Sequence, residues 1–392
     1  MPETNQSLPA WTYRNAEFFE LEAEALFRSS WQLVCHLSNI PQVGDYFTFD
    51  LLGDSLFVIR QKAGNGNDAI GAFHNVCRHR ASRLLDGPSG NVRRRITCPY
   101  HAWAYERDGS LAVVPFREQF EGLDPAKHCL APVVMEIFAG FIFLRITDDG
   151  GPSVAEQFAP VMDELSLYRL EELSPMGRVT LRPRPVNWKQ IADNYVDALH
   201  IPVAHPGLSS LVGNSYAIDV AGDIHIMTSQ LKPTPKAGWS ERAYSEILPR
   251  IDHLPGPAGR RWLYYRMWPN LAFELYPDQI SFMQFIPISA TESLIREIPY
   301  ALPDDRREMH LARYLNWRIN RVVNAEDTEL VARVQAGMSS ASFTSGHFAK
   351  TEVCLIDSAR RIRAALPIAA CQQEPEPGTM ADLNREMAGE TA

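Results

Sequence analysis

Two short motifs, Cys77-Arg78-His79 and Cys98-Pro99-Tyr100-His101, constrain this chain more than any other part of its sequence. Each offers one thiolate and one imidazole, and each lies between β-like segments. A metal site drawing on both needs two loops held side by side, which short, tightly turned strands can provide. Such strands are expected at 46–50, 55–60, 69–74, 92–97, 103–105 and 138–145, broken by Gly44-Asp45, Gly53-Asp54, Gly64-Asn65-Gly66, Gly87-Pro88 and Asp108-Gly109. Zinc sites more often pair two nearby cysteines and then two nearby histidines. One cysteine and one histidine per loop fits a [2Fe–2S] centre in which two imidazoles replace two thiolates on one iron, which raises its potential. Structural zinc is the alternative.

A second stretch, 193–207 (DNYVDALHIPVAHPG), gathers two carboxylates, two histidines and two prolines. Trp188, Ile191, Ala192, Tyr195 and Leu199 recur at helical steps, with Asn187 as N-cap. On such a helix Asn194, Asp197 and His200 share a face. Pro202 predicts an end or kink near Ile201, and His205 then follows from a turn. Two histidines five apart across a helix break suit two corners of a facial triad, which needs one more carboxylate and leaves positions open for oxygen. Two core histidines beside a solvated acid is the alternative.

Composition narrows the class. The chain has 392 residues, 45% hydrophobic, enough for two or three domains. A net charge of −9 with interspersed signs disfavours nucleic acid, which needs a clustered positive face. The N-terminus lacks an apolar signal region, and no apolar run reaches membrane-spanning length. Six scattered cysteines do not form a disulfide framework, so a reducing cytoplasm is expected.

Along the chain, residues 1–12 read as a loose arm, followed by a helix over 16–30 capped by Asn15. The arm and helix, 1–40, are expected to pack with the C-terminal half. An all-β domain is expected over 41–150, closed by the linker Thr147–Pro152. An α+β domain, with an antiparallel sheet from 216–230 and 262–300, is expected over 151–366. Between those strand regions, 232–260 reads as a long excursion. Helices are predicted at 304–320, 325–335 and 348–365, and the tail 367–392 reads as disordered.

CRH…CPYHAW followed by NWKQIADNYVDALHIPVAHPGL resembles the large (α) subunit of the Rieske non-haem iron oxygenases, the aromatic-ring-hydroxylating dioxygenase family, over about 31–363. AGFIFL at 139–144 fits the end of that family's Rieske domain. The resemblance implies a Rieske domain and a helix-grip-like catalytic domain. It also implies a [2Fe–2S] cluster, a mononuclear Fe(II), and electrons from NAD(P)H through a separate reductase or ferredoxin. Carried over, Cys77, His79, Cys98 and His101 match the cluster ligands, and His200 and His205 match two iron ligands. NAEDTELVARVQAG at 324–337 resembles the EDxxLVxxVQxG segment, so Asp327 falls on the third ligand, with Glu326 as its substitute. An acid in a helix's first turn is the plainer reading of Asp327. Asp197 matches an acid that bridges an iron-ligand histidine to a cluster histidine of a neighbouring chain, which implies a homotrimer.

The substrate is less legible. Trp262, Tyr264, Arg266 and Trp268 alternate on one face of a predicted strand. They suggest either an aromatic pocket with a cationic anchor or a cage for an ammonium. Carnitine-type relatives can carry Glu where Asp197 stands, which shifts the expectation to hydroxylation of an aromatic acid by O2. Oxidative demethylation or hydroxylation of an amine or betaine is the alternative. An electron carrier or zinc-stabilised binding module is the reading from a different class.

Overall fold

A computed structural model of the chain describes residues 5–389 apart from 63–65, 67, 214, 234, 235 and 237. The described residues form two compact units. One runs from Ser29 to Val154 and adds Glu171–Ser174; the other takes the described residues up to Arg28, Ala155–Leu170 and those from Pro175 onward. The chain is therefore α+β, and its described residues up to Arg28 group with the C-terminal unit while 29–40 group with the β unit.

The β unit consists of three small antiparallel sheets. Asp68–His74, Asp54–Lys62, Asp45–Leu51 and Ser89–Asn91 neighbour one another in that order. Ile96–Thr97, Ala104–Tyr105 and Leu111–Val113 form the second, and Gln32–His36, Phe141–Arg145 and Val134–Phe138 the third. The expected hairpin at 106–110 is present: Glu106 N–H donates to Ser110 O at 2.9 Å, and Gly109 supplies a φ of +83°. The core of this unit includes Phe57, Ile59, Ile96, Trp103, Tyr105 and both Cys77 and Cys98, so the metal-loop cysteines are core residues. Of the predicted Gly64-Asn65-Gly66 turn, 64 and 65 lie outside the described residues.

The other unit is built on an antiparallel sheet. Its order is Glu292–Ala301, Ile280–Ser289, Leu271–Leu275, Arg261–Met267, Ile224–Gln230 and Ala217–Ala221, and Thr180–Arg184 pairs with Glu292–Ala301. The excursion over 232–260 contains a helix, Trp239–Ile247, whose Ala243 and Tyr244 are buried; 234, 235 and 237 lie outside the described residues.

Three expectations about helices are corrected. The helix after Asn187 spans Trp188–Val196 and stops before Ile201. Asp197 is already extended, and its carboxylate accepts the Leu199 N–H at 2.8 Å, a local turn that competes with the helix. Pro202 then sits in the first turn of a new short helix, Ile201–Ala204, where its missing donor costs nothing. The helices predicted at 304–320 and 325–335 are one, Arg307–Gly337. Its early turns bury Met309, Ala312, Leu315 and Ile319 in the core. Over the next turns the same stripe becomes Asn320, Val323, Asn324, Asp327 and Thr328, which face a cavity. The loss of apolar periodicity marks a change of environment rather than a break.

The N-terminal arm and the tail are ordered over their described residues. Ser7 and Ala10 N–H groups donate to Gly346 O and Thr344 O, and Phe348 N–H donates to Asn5 O; residues 1–4 lie outside the described part. The helix Ala16–Glu22, capped by Asn15, places Glu22 against Lys189 Nζ at 2.7 Å, and both side chains are fully buried. In the tail, Met380–Ala388 is helical and Met380 is buried. The Gly378 N–H meets the Glu17 carboxylate at 2.8 Å, and Asn384 accepts the Ile368 N–H, so the expectation of disorder fails there on tertiary contacts that composition does not encode. Residues 390–392 lie outside the described part.

Candidate active site and metal centres

His205 is held between two short helices, Ile201–Ala204 and Pro206–Val212, and is almost fully buried. His200 precedes the first of them. Leu208, Leu211 and Val212 anchor the second in the core, and this turns the His205 ring back toward His200. The His200 and His205 Nε2 atoms are 3.1 Å apart. Asp327 Oδ1 approaches from the long helix, 2.9 Å from His205 Nε2 and 3.6 Å from His200 Nε2. Among the described residues, these three bring their ligand atoms within 4.8 Å of one another.

Each histidine is oriented from behind by a carboxylate. Asp197 Oδ2 lies 3.0 Å from His200 Nδ1, and Glu326 Oε2 lies 2.7 Å from His205 Nδ1. A ring that donates from Nδ1 presents a lone pair at Nε2. Two lone pairs and a carboxylate oxygen therefore face one point, an arrangement that calls for a cation there. The surrounding carboxylates favour positive charge at this point. Hydrogen bonds from Asp197 and Asp327 outweigh the desolvation of His200 and push it up to about 9. Hydrogen bonds from both histidines likewise outweigh the burial of Asp327 and bring it down to about 2. Asn194, given no role from sequence, donates from Nδ2 to Asp327 Oδ1 at 3.2 Å. Glu326, the expected substitute ligand, is placed at the back of His205. The donor set suits iron in an open facial site.

The upstream motif forms two loops of the same shape. In each, the residue four after the cysteine has a positive φ, +55° at Ala81 and +57° at Ala102. Each of these residues donates its N–H back to the cysteine carbonyl at 3.1 Å. Ser82 O accepts from Cys77 N–H, as Trp103 O accepts from Cys98 N–H. The His79 and His101 rings lie 4.6 Å apart edge to face, and His79 stacks on Trp103. His79 Nδ1 is buried without a hydrogen-bond partner among the described residues. Desolvation, followed by the charges of His101 and Arg80, holds His79 below its usual value and keeps that nitrogen available. Tyr105 Oη stands 3.3 Å from Cys77 Sγ. Burial raises Cys98, but backbone N–H groups of His101 and Tyr100, aimed at its sulfur, more than reverse this. The Cys77 and Cys98 thiols interact with each other, as the His79 and His101 rings do. The set fits a two-metal cluster with a cysteine pair and a histidine pair.

A cavity opens onto His200, His205 and Asp327. Its aromatic wall is Tyr195, Tyr216, Tyr264 and Phe285. Arg266, expected as an anchor within the pocket, is not part of its lining. It is buried and donates to Ala192 O at 3.2 Å and Ser358 Oγ at 2.7 Å, which ties the helix Trp188–Val196 to Val353–Ala365. Trp262 likewise belongs to the core. Sequence reading missed Glu274, which lines the cavity beside Tyr264. A lone acid in an apolar strand (LAFEL) was the available signal.

Residues 30–130 match the Rieske [2Fe–2S] domain, and residues 170–367 match the ring hydroxylating alpha subunit (catalytic domain). The carnitine monooxygenase oxygenase subunit of Escherichia coli K12 is 37% identical over 353 residues, covering 87% of each chain. That of Acinetobacter pittii is 31% identical over 351 residues, covering 87% of this chain and 88% of the relative. A crystal structure of a quaternary ammonium Rieske monooxygenase with an inhibitor superposes with a TM-score of 0.78 at 25% identity, over 93% of this chain and 96% of that one. Family matches to both halves and this extent of identity lead to one conclusion: the chain belongs to the Rieske non-haem iron oxygenases, as an oxygenase subunit whose cofactors are a Rieske [2Fe–2S] cluster and a mononuclear iron.

Proposed function

We propose that the chain oxidises a small substituted ammonium compound, with Cys77, His79, Cys98 and His101 holding the cluster and His200, His205 and Asp327 holding the iron. The observation that carries this reading is the cavity on the triad. Its wall is aromatic, the acid Glu274 is buried in it, and Arg266 is turned away from it. Arg184 also lies on the lining, at the edge of the sheet, but the aromatic wall around the buried acid offers ring faces to an ammonium. The likeness to carnitine monooxygenase subunits supports the same choice. The aromatic-acid expectation is set aside in favour of its alternative.

When bound, the iron activates dioxygen and the cluster delivers electrons supplied by a separate reductase. The net change is one substrate C–H becoming C–OH, while the second oxygen atom leaves as water with two electrons from the reductase and two protons. Hydroxylation at a carbon on nitrogen then breaks the C–N bond, releasing an aldehyde or ketone and the less substituted amine. Within this reading Asp197 and Glu326 fix the two histidine rings through Nδ1, and the aromatic wall places the substrate against the open side of the triad. Asp197 also serves as the acid linking the iron site to a cluster histidine of a neighbouring copy in a homotrimer.

The test is anaerobic purification followed by iron, sulfide and EPR analysis. About three irons and two sulfides per chain with a reduced Rieske-type signal are expected. The loaded enzyme, given a reductase, should consume NAD(P)H and dioxygen with carnitine, glycine betaine or choline and not with benzoate. Coupled turnover of benzoate alone would reject the ammonium reading. Zinc without sulfide would reject the oxygenase assignment of these residues. Size-exclusion with light scattering checks the trimer.

A further inference from the structure

Glu274 is a carboxylate with no structural counter-charge. It lies on Leu271–Leu275, in register with Tyr264 on one neighbouring strand and Ser281 on the other, and is only 7% exposed. Alternation along the strand sends Phe273 and Leu275 to the opposite face, so Glu274 alone of that strand lines the cavity. Among the described residues it forms no ion pair. Arg182, the one cation that acts on it, is held by Glu297 at 2.6 Å. Glu297 itself repels it.

Tyrosines surround it. Tyr264 packs edge-on to Tyr276 at 5.8 Å and to Tyr195 at 6.3 Å, and lies 6.3 Å from Tyr216. Phe285 closes on Tyr195 at 5.6 Å. Burial raises all four tyrosine hydroxyls, and the Glu274 charge adds to each. Tyr216 also feels Asp197 and Asp327, so the tyrosine cluster reaches from Glu274 to the triad.

A buried carboxylate whose hydrogen bond, from the neutral Tyr276 hydroxyl, brings no counter-charge is costly to ionise. Here burial, reinforced by Glu297, pushes it up to about 8. A carboxyl kept for packing alone is more cheaply replaced by an amide or an apolar side chain. A carboxyl that faces a cavity, ringed by electron-rich faces and without a cation of its own, is completed by a cation that arrives with the ligand.

We propose that Glu274 is the counter-charge for the substrate's ammonium group, held within the Tyr195–Tyr216–Tyr264 cluster next to the triad, and that it sets the enzyme's preference for a cation over a neutral group of the same shape. This rests on the ammonium reading above. The same charge repels an anionic ring substituent. Arg184, on the cavity's lining from the edge strand Thr180–Arg184, is three strands away across the sheet and does not neutralise it.

The experiment uses the full-length, cluster- and iron-loaded protein and compares equilibrium binding of choline with its uncharged carbon isostere, 3,3-dimethyl-1-butanol, and of carnitine and glycine betaine with their tert-butyl analogues. Wild type is expected to bind at least one ammonium compound about tenfold or more better than its isostere. Glu274→Gln is expected to lose that preference while binding the isostere as well as before. Glu274→Asp should keep part of it. Thermal unfolding and iron content of each variant show that the site is intact, and Asp supplies the comparison if Gln folds poorly. A wild-type preference that survives unchanged in either variant would overturn the role of Glu274. Absence of any ammonium preference in wild type would overturn this proposal together with the ammonium reading, and the two failures differ in which protein shows the result.

Discussion

His200 and His205 point their Nε2 atoms at each other across 3.1 Å, with Asp327 closing the third side. Both rings are locked from behind by separate carboxylates, Asp197 on one and Glu326 on the other. A cation placed among the two ring nitrogens and the Asp327 oxygen would be stabilised by all three, and the carboxylates behind the rings hold them in place for it.

Removing the carboxylate should therefore remove the ion and leave the cluster. Asp327→Ala is expected to lower iron from about three to about two per chain, with sulfide and the reduced Rieske signal unchanged. Turnover should fall by at least about a hundredfold. Metal analysis and EPR on the same sample check this. Three irons with intact turnover would mean that Asp327 is only a helix-borne acid.

The two outer carboxylates should behave differently from Asp327 and from each other. Glu326→Gln leaves an acceptor at His205 Nδ1 but removes its charge, and iron affinity should drop by about tenfold to a hundredfold. Asp197→Asn should reduce turnover by a similar factor, and more steeply than iron content if Asp197 also carries electrons between copies. The discriminating measurement is single-turnover product from pre-reduced, iron-replete enzyme against multiple-turnover rate. Equal losses of iron and rate in both variants would reduce Asp197 to ring orientation.

Arg266 should matter for stability and not for substrate charge. Its guanidinium is fully buried, with burial first among the causes that hold it down at about 10. Arg266→Met leaves the Ala192 carbonyl and Ser358 hydroxyl without this donor, at a cost of about 1–3 kcal/mol per unsatisfied group. A lower melting temperature with unchanged preference among ammonium compounds and acids is expected. A changed preference with unchanged stability would return Arg266 to the pocket.

Much of this is legible in the sequence. Residue chemistry and spacing carried the cysteine and histidine candidates, because the choice of thiolates and imidazoles is local in sequence, whereas Asp327 came only from the family resemblance. The architecture followed from turn residues and alternation. What failed depended on long-range partners. Pro202 read as a helix terminator, yet Asp197 had already ended the helix through its own side chain. Polar residues 320–328 read as a gap between helices because a face toward a cavity lacks the apolar stripe of a face toward the core. Arg266 and Tyr264 share a strand face, but the helices packed on that face decide which of them meets the cavity. The tail read as disordered on its Pro- and Glu-rich composition, while its helix is held by single contacts such as Glu17 to Gly378.

The last expectation follows from the sign of the Glu274 shift. Its folded-state value is raised from 4.5 to about 8, with burial as the first cause and Glu297 adding to it. Below the unfolded value both states carry the proton, and folding is not penalised. As pH rises from about 4.5 toward 8, the unfolded chain releases the proton while the folded chain retains it, so stability drains away across that window and levels off above it. Glu274→Gln removes the titration. The variant should match wild type near pH 4.5 and become progressively more stable relative to it up to pH 8, with the full difference a few kcal/mol. Apparent melting temperatures of both proteins, loaded identically with iron and cluster and free of substrate, provide the comparison. A saturating ammonium ligand should narrow the gap, since it stabilises the ionised carboxylate only where one exists. A gap that is flat with pH would mean that Glu274 is already ionised and paired in the folded protein.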